Sequence, residues 1–168
     1  MLVGIKQCQA LTRRAPFWCV LGLAVVGGLS ACQPLALKAD GTAAATEETA
    51  TAEQFQALRA VKGHFNGGTW NDRVDTWNGE KHQVMQKLQA QILRGEKQAA
   101  DVRDLFGEPE QIWPESADQY AQLVQRAQWQ GRPSGEIWAY YWRGQHDQLL
   151  VALKDGKVTA AGWLLAWE

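Results

Sequence analysis

Cysteine is scarce in this chain, and its placement is uneven. Two of the three, Cys8 and Cys19, fall in the apolar amino-terminal stretch, so beyond residue 31 only Cys32 remains and no disulfide frame can form there. Serine is equally sparse. Past residue 31 there are Ser116 and Ser134, neither in a Gly-x-Ser-x-Gly turn, so a serine nucleophile lacks its setting. The three histidines, His64, His82 and His146, form no His-x3-His pair and no His-Glu-x-x-His motif, which argues against a zinc site. No Gly-rich phosphate loop follows a strand. The paired carboxylates Asp72 with Asp75 and Glu108 with Glu110 have the spacing of solvated turn and helix-end residues. Asn71 to Asp75 offers oxygen ligands but misses the spacing and glycine of a calcium loop. These absences predict a protein that is not an enzyme and holds no metal and no catalytic residue.

Acidic residues are missing from residues 1–31, which carry Lys6, Arg13 and Arg14 and then run apolar from Ala15 to Leu29. A basic start followed by an apolar run is the pattern of an export signal. A retained membrane span is the alternative, but Pro16, Gly22, Gly27 and Gly28 interrupt a stretch at the short end of the ~17 to 25 residues required. The run ends in Leu29-Ser30-Ala31-Cys32, which resembles the bacterial lipobox. That resemblance implies cleavage before Cys32, an S-diacylglyceryl group on its sulfur and an N-acyl chain (palmitate or similar) on its amine. Anchorage of the protein to a lipid membrane through Cys32 follows, effectively permanent at ~0.8 kcal/mol per buried CH₂. An ordinary secretory signal with a coincidental cysteine is the competing reading. Gln33 after the cysteine, by resemblance to enterobacterial sorting rules, implies the outer membrane, facing the periplasm. Without the leader, 17 − 3 = 14 Lys and Arg face 18 Asp and Glu, a net charge of about −4. This excess of acid speaks against nucleic acid as a partner and against a polybasic grip on anionic lipid.

From Cys32 to Thr51 the composition is mostly Ala, Thr and Glu with few large apolar residues, which predicts a lipidated flexible tether or a mere spacer. A single α+β domain is expected over 52–168. Thr51 with Gln54 reads as a capping box for a helix over 52–62, ended by Gly63, Gly67 and Gly68. An irregular polar segment with Trp70 and Trp77 follows. Val84, Met85, Leu88, Ile92 and Leu93 predict a helix over 80–94. Ala99, Val102, Leu105 and Phe106 predict another over 97–106, stopped by Gly107 and Pro109. Ser116 with Gln119 suggests one more, an exposed insertion through Tyr120, Leu123, Val124 and Ala127.

The last 34 residues change period: 135–142, 148–154 and 157–167 are expected as three antiparallel strands, the last two joined by the Asp155-Gly156 turn. Pairing Leu153 with Val158 across that turn puts Leu149, Val151, Leu153, Val158, Ala160, Gly162, Leu164 and Ala166 on one face, suited by its small residues to helix packing. The other face carries Leu150, Ala152, Thr159, Ala161, Trp163, Leu165 and Trp167. If Trp142 pairs with Gln148, Trp138, Tyr140 and Trp142 join the second face. That aromatic face is either a binding surface or, if the segment around Trp70 and Trp77 covers it or the register slips by one, part of the core.

Two helices, the second ending Leu105-Phe106-Gly107-x-Pro109 after Val102, then a strand with Trp138, Tyr140 and Tyr141 and a hairpin closing on Asp155-Gly156-Lys157-Val158, resemble the BamE (SmpA/OmlA) family of small outer-membrane lipoproteins. The wider group includes domains shaped like β-lactamase inhibitory protein. The resemblance, strongest over 80–168, implies two or three helices packed on a three-stranded antiparallel sheet, and a role in outer-membrane protein assembly. Taken together, the sequence predicts a non-enzymatic module that binds an envelope protein, as assembly factor or inhibitor. Its candidate surface is Trp70, Trp77, Trp138, Trp142, Trp163 and Trp167. The alternative is a carbohydrate or peptidoglycan binder that stacks sugars on the same tryptophans.

Overall fold

In the computed structural model the chain divides into two units, Met1–Ala36 and Leu37–Glu168, and the structure describes residues 40–166, all within the second. Cys32 and Trp167 therefore lie outside the described residues. What is described is α+β: four helices, one of them a single turn, on one face of a five-stranded antiparallel sheet and a short helix on the other.

The first helix, α1, spans Asp40–Arg59. Composition predicted a tether as far as Thr51, yet the helix begins at Asp40, because alanine and glutamate are strong helix formers that need only a docked end to propagate from. Ala52, Phe55 and Leu58 provide that end, recurring at three-residue spacing and buried against the core. Thr51 is consequently mid-helix and not a cap; its Oγ1 bonds back to the Glu47 carbonyl at 2.7 Å. After a 3₁₀ turn at His64–Asn66 and the four-residue helix α2 (Asp72–Asp75), α3 runs Glu80–Ile92 and buries Val84, Met85, Leu88 and Ile92. Helix α4, Ala99–Phe106, buries Val102, Leu105 and Phe106 and stops at Gly107, whose φ of 76° is open to glycine at little cost.

Five strands are present where three were expected. The long ones, β3 (Glu136–Arg143), β4 (Asp147–Lys154) and β5 (Lys157–Leu165), match the predicted meander. Two short strands flank it, β1 (Gln111–Trp113) beside β3 and β2 (Gln128–Gly131) beside β5, giving the order β1-β3-β4-β5-β2. Three and four residues of Gln, Trp and Ile show no alternation to read, and brevity of this kind is how sheets blunt their edges. The segment between them, expected as an exposed insertion, carries α5 (Tyr120–Arg126). Leu123 and Ala127 there pack on Ile137, Ala139, Leu150, Ala152 and Ala160 across the second face of the sheet.

The register corrects the predicted faces. Leu153 does pair with Val158, but Ala152 pairs with Ala160, so Thr159 is an extra residue in β5. Its hydroxyl lies 3.2 Å from the Ala152 carbonyl and 3.1 Å from that of Ser134, which holds the bulge in place. Beyond it every side chain of β5 changes side. Tyr141, not Trp142, pairs with Gln148. The two shifts bring Trp138, Tyr140, Trp142, Ala161, Trp163 and Leu165 together with Leu149, Val151 and Leu153 on the helix-packed face, as the main core. The aromatic face is core, as the slipped-register reading held.

Candidate functional site

Burial separates the six tryptophans named from sequence. Trp138 is 1% exposed, Trp142 2% and Trp163 9%; these three belong to the core and offer no surface. Each indole N–H is satisfied inside: Trp138 donates to Glu136 Oε1 (2.9 Å), Trp142 to the Val74 carbonyl (2.9 Å) and Trp163 to Gln89 Oε1 (2.9 Å). Arg103 lies over the Trp138 ring at 4.2 Å. Trp70 and Trp77, by contrast, are 55% and 56% exposed. They mark a rim formed by the segment from Gly63 to Gly79 and the turn between β3 and β4.

A buried carboxylate shapes this rim. Asp75, at the end of α2, accepts through Oδ2 from the backbone N–H groups of His64 (2.9 Å) and Asn71 (2.8 Å), pinching the two ends of the loop together. The Asp75 carboxyl sits so close to Gly63 that a Cβ there would overlap it, which explains the glycine. Asn71 caps α2 through the Arg73 N–H (3.0 Å), and Asp72 Oδ1 takes the indole N–H of Trp70 (2.8 Å), which ties that ring to the start of α2. The sequence-flagged pair Asp72 and Asp75 thus fastens a loop. Glu110 likewise holds Arg59 (2.8 Å) and the Tyr141 N–H (3.2 Å), and Glu108 pairs with Arg103 (3.1 Å). Among the described residues, no group of three or more His, Cys, Asp or Glu could hold a metal ion.

Two aromatic groups meet at the rim. Trp70 stands 6.4 Å from both His64 and Phe65, and Phe65 lies 4.9 Å from His146. Trp77 lies 4.8 Å from His82 and 5.6 Å from Trp142, and His82 stacks on Trp142 at 4.1 Å with only 9° between the rings. Arg143 brackets the two groups, 5.1 Å from Phe65 and 4.2 Å from Trp142. It is held by Asp147, 1% exposed, through Nε (2.5 Å). The same carboxylate takes His146 Nδ1 (3.0 Å) and the Ala166 N–H (3.1 Å). Trp77 and the loop behind it therefore cover the Trp142 end of the core.

The titrating groups here are tuned for structure. Burial drives His82 down to about 4, Arg143 adding to the shift and Asp147 opposing it. The Asn78 N–H donates to its Nδ1 (3.0 Å), and its Nε2 lies 3.3 Å from the Gln86 side-chain nitrogen. Burial likewise pushes Lys81 down to about 8, where Nζ donates to the Trp142 carbonyl (2.9 Å). Glu80 is held near about 2 by hydrogen bonds from Arg73 and Gln54.

Sequence reasoning found Trp70 and Trp77 but missed Phe65, Arg143 and His146, which reach them only through the fold. The one local signal was Gly63 and Gly67 around His64-Phe65-Asn66, the mark of a tight turn. A further exposed apolar residue, Ile112 (43%), lies on edge strand β1. Comparison with family models, with curated proteins and with solved structures finds no match.

Proposed function

We propose that this chain is a lipoprotein of the bacterial cell envelope, anchored to the outer membrane through Cys32 and facing the periplasm, that binds an envelope protein without catalysing a reaction. The observation that carries the binding reading is the Trp70 and Trp77 rim: two half-exposed indoles on a loop clamped by the buried Asp75. Aromatic anchors on a rigid frame lose little entropy on binding, and covering another ~100 Å² of apolar surface would be worth about 2.5 kcal/mol at ~25 cal/mol per Å². A loop whose indoles served only to cap the core would leave them less exposed. In support of the non-enzymatic part, the carboxylates of the rim are taken up by backbone N–H groups, an indole and a guanidinium. The anchor is supported by the lipobox-like Leu29-Ser30-Ala31-Cys32. A BamE-like architecture is part of the same proposal, supported by the α4 stop at Gly107 and the β4–β5 turn at Asp155-Gly156. The reading is tested by capture from solubilised envelopes. The wild type is expected to retain a specific protein that Trp70→Ala and Trp77→Ala lose while remaining folded, Trp77→Ala with a lowered melting temperature because that ring packs on His82 and Trp142. Equal capture by both variants would remove the rim from consideration.

A further inference from the structure

The groove between α1 and α3 holds a hollow of about 630 Å³ whose two walls carry opposite charge. Lys87 and Gln91 on α3, with Arg94 just past its end, follow helical spacing and share one face. Ala44, Glu47 and Thr51 do the same on α1. Alanine on both sides, Ala44 and Ala90, leaves the space between the walls unfilled. Glu48 is drawn away to Lys97 (3.6 Å), but Glu47, Lys87 and Arg94 enter no ion pair among the described residues. Gln91 lines the same hollow and is only 9% exposed, and its Oε1 is one of two buried side-chain atoms among the described residues that have no hydrogen-bond partner. A buried acceptor left unpaired is costly, and the terminal torsion of a glutamine is soft enough to turn it towards a donor in the hollow.

These charges select among ligand classes. A simple anion would face Glu47, and a simple cation would face Lys87 and Arg94. A neutral molecule would strip water from all three charges and return nothing. A zwitterion answers both walls. The Gln91 amide narrows the choice further, because it offers the donors and the acceptor that a peptide group matches, whereas a free amino acid has no peptide group to set against it. We propose that the α1–α3 groove binds a short peptide with free termini, its ammonium at Glu47, its carboxylate at Lys87 and Arg94, and a peptide group against the Gln91 amide. The volume falls within the ~300 to 1,000 Å³ common for small-molecule sites. Trp70 lies outside the lining, so the site is separate from that end of the rim.

The test titrates the processed full-length protein in detergent with trialanine and with the dipeptides Ala-Ala, Ala-Glu, Ala-Lys and Ala-Phe, followed by amide chemical shifts. At least one is expected to bind saturably, with shifts centred on Glu47, Lys87 and Gln91. Acetylating its amino terminus or amidating its carboxyl terminus should each weaken binding about fivefold or more. In Glu47→Gln the free and the acetylated peptide should bind alike, and in the double variant Lys87→Gln with Arg94→Gln the free and the amidated peptide should do so. Gln91→Leu removes an unpaired acceptor from a buried position, so it should fold as the wild type does while binding about tenfold more weakly. Trp70→Ala should bind peptide as the wild type does, so loss of protein capture and loss of peptide binding are separable. No saturable shift with any of the five peptides up to about 10 mM would overturn the proposal. So would blocked peptides that bind as tightly as the free ones.

Discussion

Replacing His82 with glutamine should remove a specific slope from the dependence of stability on pH. In the folded protein the imidazole is 2% exposed, stacked on Trp142, with Nδ1 occupied as an acceptor from the Asn78 N–H. Protonation of Nδ1 would break that bond and place a cation in the core beside Arg143, which is why the folded ring titrates at about 4 against an ordinary 6.5. The sign follows directly. Between those values the unfolded chain binds the proton and the folded one does not, so stability is fully present above 6.5 and falls as pH drops towards 4. At 1.36 kcal/mol per pH unit the loss is about 3 kcal/mol over the window. Carboxylates such as Glu80 lose their stabilising bonds only at lower pH, the folded group titrating at about 2. Urea unfolding followed by tryptophan fluorescence at a series of pH values from 7 to 4 reads the effect. His82→Gln should be less stable at pH 7, having lost the stacking, yet show a curve flatter than the wild type by about 3 kcal/mol. Parallel curves would refute the reasoning and place the imidazole in contact with water.

Further outcomes follow from the same contacts. Asp75→Asn keeps the size of the side chain but removes the charge that draws in the His64 and Asn71 N–H groups; a loss of about 1 to 3 kcal/mol is expected, with faster proteolysis between residues 62 and 79. Arg59→Lys should cost about 1 to 2 kcal/mol in thermal unfolding, because a single ammonium cannot serve Glu110 and the carbonyls of Phe106 and Glu108 together. Cys32→Ala should lose metabolic palmitate label and membrane association at once; an unlabelled wild type, cleaved at the same position, would contradict the lipid anchor.

Much of the fold was legible because its signals are local. The stripes of α3 and α4, the glycine stop at Gly107 and the two-residue Asp155-Gly156 turn each occupy a few consecutive residues, and the structure places them within a residue or two of expectation. Features decided by partners distant in sequence were not legible. Nothing in Lys157 to Leu165 betrays the extra residue at Thr159, because the bulge is held by carbonyls of Ala152 and Ser134. That single shift carried Trp163 from a supposed surface into the core. The short strands β1 and β2 exist only as additions to β3 and β5, and the early half of α1 only as an extension of its docked half. For the candidate site, exposure of Trp70 and Trp77 could be guessed from their polar, glycine-rich surroundings. The Arg143 bracket and the Asp147 carboxylate behind it could not, since both come from the far side of the chain.

If the Trp70 and Trp77 rim binds a partner protein in the envelope, as proposed, then residue 77 touches that partner. The most direct measurement places a photo-crosslinking phenylalanine analogue at position 77 in living cells, and in parallel at Gln122, exposed on α5 across the sheet. A discrete crosslinked species is expected from position 77 and none from 122. Absence of a crosslink at 77, or the same species from both positions, would contradict that contact.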